Sequence, residues 1–78
     1  MARLRVVPAG SNMTELHTGD ANILFSYQTP VAAHVYGRGW LMTRAFYSVT
    51  TSRHINRWIP DGVGVEKVDQ REIEGLVS

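Results

Sequence analysis

The sequence predicts one α+β domain, a small antiparallel sheet with a central hairpin and two short helices. Residues 21–27 alternate in polarity, and the runs 31–36 and 40–45 are joined by Gly37-Arg38-Gly39. Residues 51–59 and 69–77 carry apolar stripes at helical spacing behind capping residues. With 78 residues, the chain is read as a single domain over 1–78. A chain of this size buries only about 60% of its unfolded surface, so its core is thin.

The first element is a short edge strand over residues 3–7, closed by Pro8, which has no N–H for a ladder. Ala9-Gly10-Ser11-Asn12 is loop chemistry, Met13 to His17 a second strand, and Thr18-Gly19-Asp20 a turn. In the strand 21–27, Ile23, Phe25 and Tyr27 form the apolar face against Asn22, Leu24 and Ser26. Gln28-Thr29-Pro30 breaks it. In the hairpin, Tyr36 opposite Trp40 places Val31, Ala33, Val35, Leu41, Thr43 and Ala45 on one face. Ala32, His34, Tyr36, Trp40, Met42 and Arg44 then share the other.

The helix over 51–59 takes Thr50 or Thr51 as its cap and Ile55, Trp58 and Ile59 as its stripe, and Pro60 and Gly62 end it. Asp69 and Glu72 make a capping box for the second helix, with Val68 stapled to Ile73. Its stripe is Ile73, Leu76 and Val77. Residues 63–68 between the helices read as one more short strand.

Composition narrows the function classes. No cysteine is present, so disulfides and thiolate metal sites are absent and a reducing, cytoplasmic compartment is expected. No run approaches the ~20 apolar residues of a membrane helix, so no membrane partner is expected. His17, His34 and His54 lack metal-ligand spacing, and neither metal nor cofactor is expected. Residues 1–58 hold six arginines against Glu15 and Asp20, a net of +4, and residues 59–78 carry a net of −3. Such a split leads either to attraction within the chain or to a basic surface for an anionic partner.

Two sets of residues stand out as partner-binding candidates. On the first helix, Arg53 and Arg57 are i, i+4 neighbours, with His54 and Asn56 beside them. Like charges at that spacing repel unless something anionic answers them; Glu66 or Glu72 is the internal answer. On the hairpin, Tyr36, Trp40 and Arg44 share the face with Met42, and such residues are enriched in interface cores. The competing reading packs that face under a helix. Ser48, His54 and Asp61 could be named as a catalytic trio, but any chain this long offers one, and no catalytic residue is assigned.

The segments Ile23-Leu24-Phe25-Ser26-Tyr27-Gln28-Thr29-Pro30-Val31-Ala32-Ala33 and Tyr47-Ser48-Val49-Thr50-Thr51-Ser52-Arg53-His54-Ile55-Asn56-Arg57-Trp58 resemble a family of small uncharacterised bacteriophage proteins. Its members share an LFSYxTPVA strand and a YSxTTSRHINxW segment. The resemblance covers about half the chain and implies a phage accessory protein acting in the bacterial cytoplasm. The family carries no assigned activity, cofactor or catalytic residue. Proteins of that kind commonly bind a host protein, host-defence components included, or a nucleic acid.

The leading expectation is therefore a non-enzymatic binding module contacting a host protein. A nucleic-acid-binding protein using the Arg-bearing helix 51–59 comes second, against a net charge of only +1. A small enzyme comes third. A thin core with open sheet edges adds the expectation of a homodimer.

Overall fold

The computed structural model describes residues 4–77. Six strands and two helices follow in the order β1 (Arg5–Gly10), β2 (Met13–His17), β3 (Ala21–Ser26), β4 (Thr29–Val35), β5 (Gly39–Thr43), α1 (Val49–Trp58), β6 (Val65–Val68) and α2 (Gln70–Gly75). The strands lie in one sheet in chain order. Neighbours from β1 to β5 are antiparallel, while β5 and β6 are parallel. The α+β class stands, but the sheet is larger than expected and mixed rather than antiparallel. Parallel neighbours need a long crossover, commonly helical, and α1 supplies it.

Several boundaries move for local reasons. β1 runs through Pro8, which pairs with Thr14, and a bulge between Pro8 and Gly10 carries the strand to its turn. An edge position tolerates proline because one side of the strand needs no donor. Arg3, assigned to that strand from the sequence, lies outside the described residues. β3 stops at Ser26 because Tyr27 takes φ 58°, a left-handed conformation that turns the chain within two residues. β4 then starts at Thr29, with Pro30 buried inside it and opposite Phe25 at a bulge.

The central hairpin pairs His34 with Trp40 and Val35 with Gly39, so Tyr36 sits in the loop instead of opposite Trp40. The slip is two residues, which leaves the face sets in place except at Val31, the extra residue of the β3–β4 bulge, which packs with Ala32 in the α1 cluster. Gly37 and Gly39 supply the positive φ angles, 84° and 112°, that the turn requires.

A helix covers each face of the sheet. Leu24, Ala32, Met13 and Val31 pack with Ile55 and Ile59 of α1, and Trp40, Met42 and Trp58 border that cluster. On the opposite face, Leu41 and Val68 pack with Ile73 of α2, while Ile23 and Ala33 meet Leu76 and Val77 beyond its end. This corrects the reading of β3 as a strand with one apolar face. Leu24 and Ser26, assigned to its polar side, are buried, whereas Tyr27 is exposed.

The helix starts also differ from expectation. Ser48 caps α1 by accepting the Thr51 N–H at 3.0 Å, ahead of the predicted Thr50 or Thr51. Asp69 caps α2 without a side-chain bond, its carbonyl accepting Glu72 N–H at 2.9 Å. The Gln70 amide donates to Pro30 O at 2.8 Å and fixes the start of α2 to β4.

Ile73 is the buried residue of α2 and is fully enclosed. Ile73→Ala is expected to cost about 2–5 kcal/mol, a large share of the ~5 kcal/mol typical of a small domain. Urea denaturation checks this, and a loss below about 1 kcal/mol would show that α2 is not pinned by this side chain.

Candidate functional site

The N-terminal half of α1 is fastened to the sheet by a run of side-chain hydrogen bonds. Ser48 Oγ donates to Thr51 Oγ1 at 3.2 Å, Thr51 Oγ1 lies 3.0 Å from Ser26 Oγ, and Ser26 Oγ lies 2.7 Å from His54 Nδ1. Ser48 already accepts the Thr51 N–H, so its own proton is free to point onward. Thr51 can then donate to Ser26, and Ser26 to His54 Nδ1 in the tautomer that leaves this nitrogen an acceptor. One direction of donation satisfies every hydroxyl in the run, which a buried cluster requires. The Tyr27 ring lies over His54, with centroids 5.9 Å apart.

A serine 2.7 Å from an imidazole nitrogen invites a catalytic reading. The surroundings do not favour it. Ser26 is 2% exposed, and among the described residues no carboxylate bonds His54 to orient the ring. The pair as placed clips the helix to β3. The trio named from sequence does not form: the partner of His54 is Ser26, while Asp61 is exposed in the turn after α1.

His54 therefore points inward, unlike its companions. Arg53, Asn56 and Arg57 lie on the outer face of α1, all exposed. Spacings of three and four residues put them on one side of the helix, opposite Thr51, Ile55 and Trp58. Neither glutamate expected to answer the arginines is free. Arg38, at the far hairpin turn, takes Glu66 at 3.1 Å and Glu72 at 3.2 Å. The hydrogen bond and charge of Glu66, with those of Glu72, hold the Arg38 guanidinium protonated above its ordinary range. Among the described residues Arg53 and Arg57 have no acidic group within ion-pair distance.

The hairpin candidates are not brought together. Trp40 is sandwiched: His34 stacks on it with centroids at 4.2 Å, and Trp58 meets it edge-on at 5.4 Å. Part of this face thus lies under α1, as the competing reading held. Tyr36 stands at the turn, 54% exposed, and donates its hydroxyl to Asn22 Oδ1 at 3.1 Å. Arg44 follows the opposite end of β5, exposed and 3.9 Å from Asp69.

Sequence reasoning missed the exposed apolar group formed by the β5–α1 loop and the first residue of α1. Phe46 is 72%, Tyr47 45% and Val49 60% exposed. The available signal was an apolar group that belonged to neither the strand alternation nor the helical stripe. Beside Phe46 a cleft of about 140 Å³ opens between α1 and the ends of β5 and β6. Among the described residues no group of three His, Cys, Asp or Glu side chains gathers as a metal site, and no helix is long and apolar enough to cross a membrane.

Ser26→Ala tests the clip. It leaves His54 Nδ1 without a partner in a buried place and the Thr51 hydroxyl with Ser48 alone, and is expected to lower stability by about 1–3 kcal/mol. Chemical denaturation of the two proteins measures the difference; equal midpoints would remove the hydrogen-bonded run as a fold determinant.

No curated protein matches the chain significantly, and no solved structure does. A family does match, over residues 6–75, which span every strand and helix described above. The chain belongs to this family, a family of unknown function (DUF8033).

Proposed function

We propose that this chain is a small phage-type accessory protein that acts as a non-enzymatic binding module in the bacterial cytoplasm, contacting a host protein through the outer face of α1. The observation that carries the reading is the unanswered pair Arg53 and Arg57. Two guanidinium groups one turn apart repel, and Glu66 and Glu72 lie on the other side of the sheet, paired with Arg38. Arginine forks recognise carboxylates in planar, paired geometry, and Asn56 between them adds a neutral donor and acceptor. The resemblance to small phage proteins supports the cellular setting.

Phosphates would also answer two arginines, so a nucleic acid is the competing partner. The overall charge of +1 gives little long-range attraction to a polyanion, and a protein surface with paired carboxylates suits the site better.

The double variant Arg53→Ala, Arg57→Ala is expected to melt within about a degree or two of the parent, since exposed charges without partners contribute little to stability. Its capture of host protein in a tagged pull-down from nuclease-treated host lysate should fall. Trp58→Ala serves as the contrast, because loss of an indole packed on Trp40 costs up to about 3 kcal/mol. A double arginine variant that melts several degrees lower yet captures the same protein makes the arginines structural. Capture that vanishes with nuclease in the parent protein assigns the site to nucleic acid.

A further inference from the structure

The cleft next to Phe46 has a composition that neither packing nor the α1 arginines explain. Met42 and Ile55 form its apolar floor, Phe46 stands at its side, and Arg44, Lys67 and Ser52 lie at its rim. Its position follows from the sheet. Lys67 pairs with Met42, which places it on the face that α1 covers, and α1 packs toward β3 rather than β6. The α1 side of β6 is left open, with Lys67 and Val65 exposed. Lys67 has no ion-pair partner among the described residues, and Arg44 has only Asp69 at the outer limit of contact, both side chains well exposed. An apolar floor beneath the unpaired Lys67 and the loosely paired Arg44, flanked by exposed Phe46 and Tyr47 and by Val49 at the start of α1, has the anatomy of an interface: apolar centre, polar rim.

We infer that this cleft binds an acidic peptide segment of a partner protein, one apolar side chain seated on Met42 and Ile55 and neighbouring carboxylates held by Lys67 and Arg44. The volume, about 140 Å³, suits a single side chain of leucine or phenylalanine size; a cavity of about 150 Å³ accepts benzene. Charge decides the rest of the partner. The rim cations outnumber the nearby Asp69, so a basic or neutral segment gains nothing there. A nucleotide base stacking on the open ring of Phe46 would leave the recessed floor of Met42 and Ile55 unfilled. Phe46 at the margin closes over the seated side chain and excludes water, which strengthens the surrounding charge pairs. The inference rests on the reading of the chain as a protein-binding module. It uses residues other than Arg53 and Arg57.

A random peptide library displayed on a carrier and selected against the full chain tests this directly. Enriched peptides should carry one large apolar residue flanked by Asp or Glu. Synthetic versions should lose at least about tenfold in affinity for Lys67→Glu and for Phe46→Ser. Both positions are exposed, so the fold persists in each variant, and circular dichroism verifies it. The double variant Arg53→Ala, Arg57→Ala should bind the same peptides unchanged, which separates failure of this site from failure of the α1 arginine face. The inference is overturned if no acidic-apolar pattern is enriched, if the peptides bind Lys67→Glu as well as the parent, or if an oligothymidylate binds the cleft in their place.

Discussion

Burial of the central strand from both sides governs this structure. Ala32 and Ala33 are consecutive in β4, neither has accessible surface, and they pack in different clusters. Consecutive side chains of a strand point to opposite faces, so a helix must cover each face. The two alanines let those helices approach closely, and the short chain then manages with helices of ten and six residues. The core is two thin layers separated by a sheet, and each layer depends on few large side chains, Leu24 and Ile55 on one side and Leu41 and Ile73 on the other.

The α1 layer includes a polar obligation. Ser26 occupies an inward position of β3, and a buried hydroxyl without a partner would be strongly unfavourable. Thr51 and His54 answer it from α1 and in doing so set the rotation of the helix about its axis. Helical spacing then leaves Arg53, Asn56 and Arg57 outward together. The outward display of the arginines is thus a consequence of what the opposite side of the helix must satisfy. On the other side of the sheet, Arg38 gathers Glu66 and Glu72, so neither acid reaches α1.

Periodicity revealed most of the elements and few of their relations. The stripes Ile55, Trp58, Ile59 and Ile73, Leu76, Val77 located both helices, and glycine chemistry located the central turn. The face sets of the hairpin were legible even though its register was not, because Tyr36 and Trp40 differ from the observed pairing by an even number. Alternation misled in β3. With helices on both sides its polar positions are buried too: Ile23 and Phe25 pack in one cluster, Leu24 and Ser26 toward α1. The strand–helix–strand order from β5 to β6 held the signal for a parallel crossover. At the candidate site, the exposure of Arg53, Asn56 and Arg57 followed from the stripe opposite them. The inward turn of His54 did not, because its partner Ser26 is 28 residues away in sequence.

The long-range contact between Ser26 and His54 also gives physical content to the two segments that set this chain apart. One contains β3, Tyr27 and the start of β4; the other contains the Ser48 cap and α1. They meet in the run Ser48, Thr51, Ser26, His54, with Tyr27 held in a left-handed turn above the imidazole. Glycine would fill that turn without strain; Tyr27 fills it with a ring tilted against the imidazole. Ser26, Tyr27, Ser48, Thr51, His54, Ile55 and Trp58 are thereby accounted for by packing and hydrogen bonding alone. Arg53, Asn56 and Arg57 contribute to neither. They stand exposed on the outer side of α1, as Val49 and Thr50 do at its start.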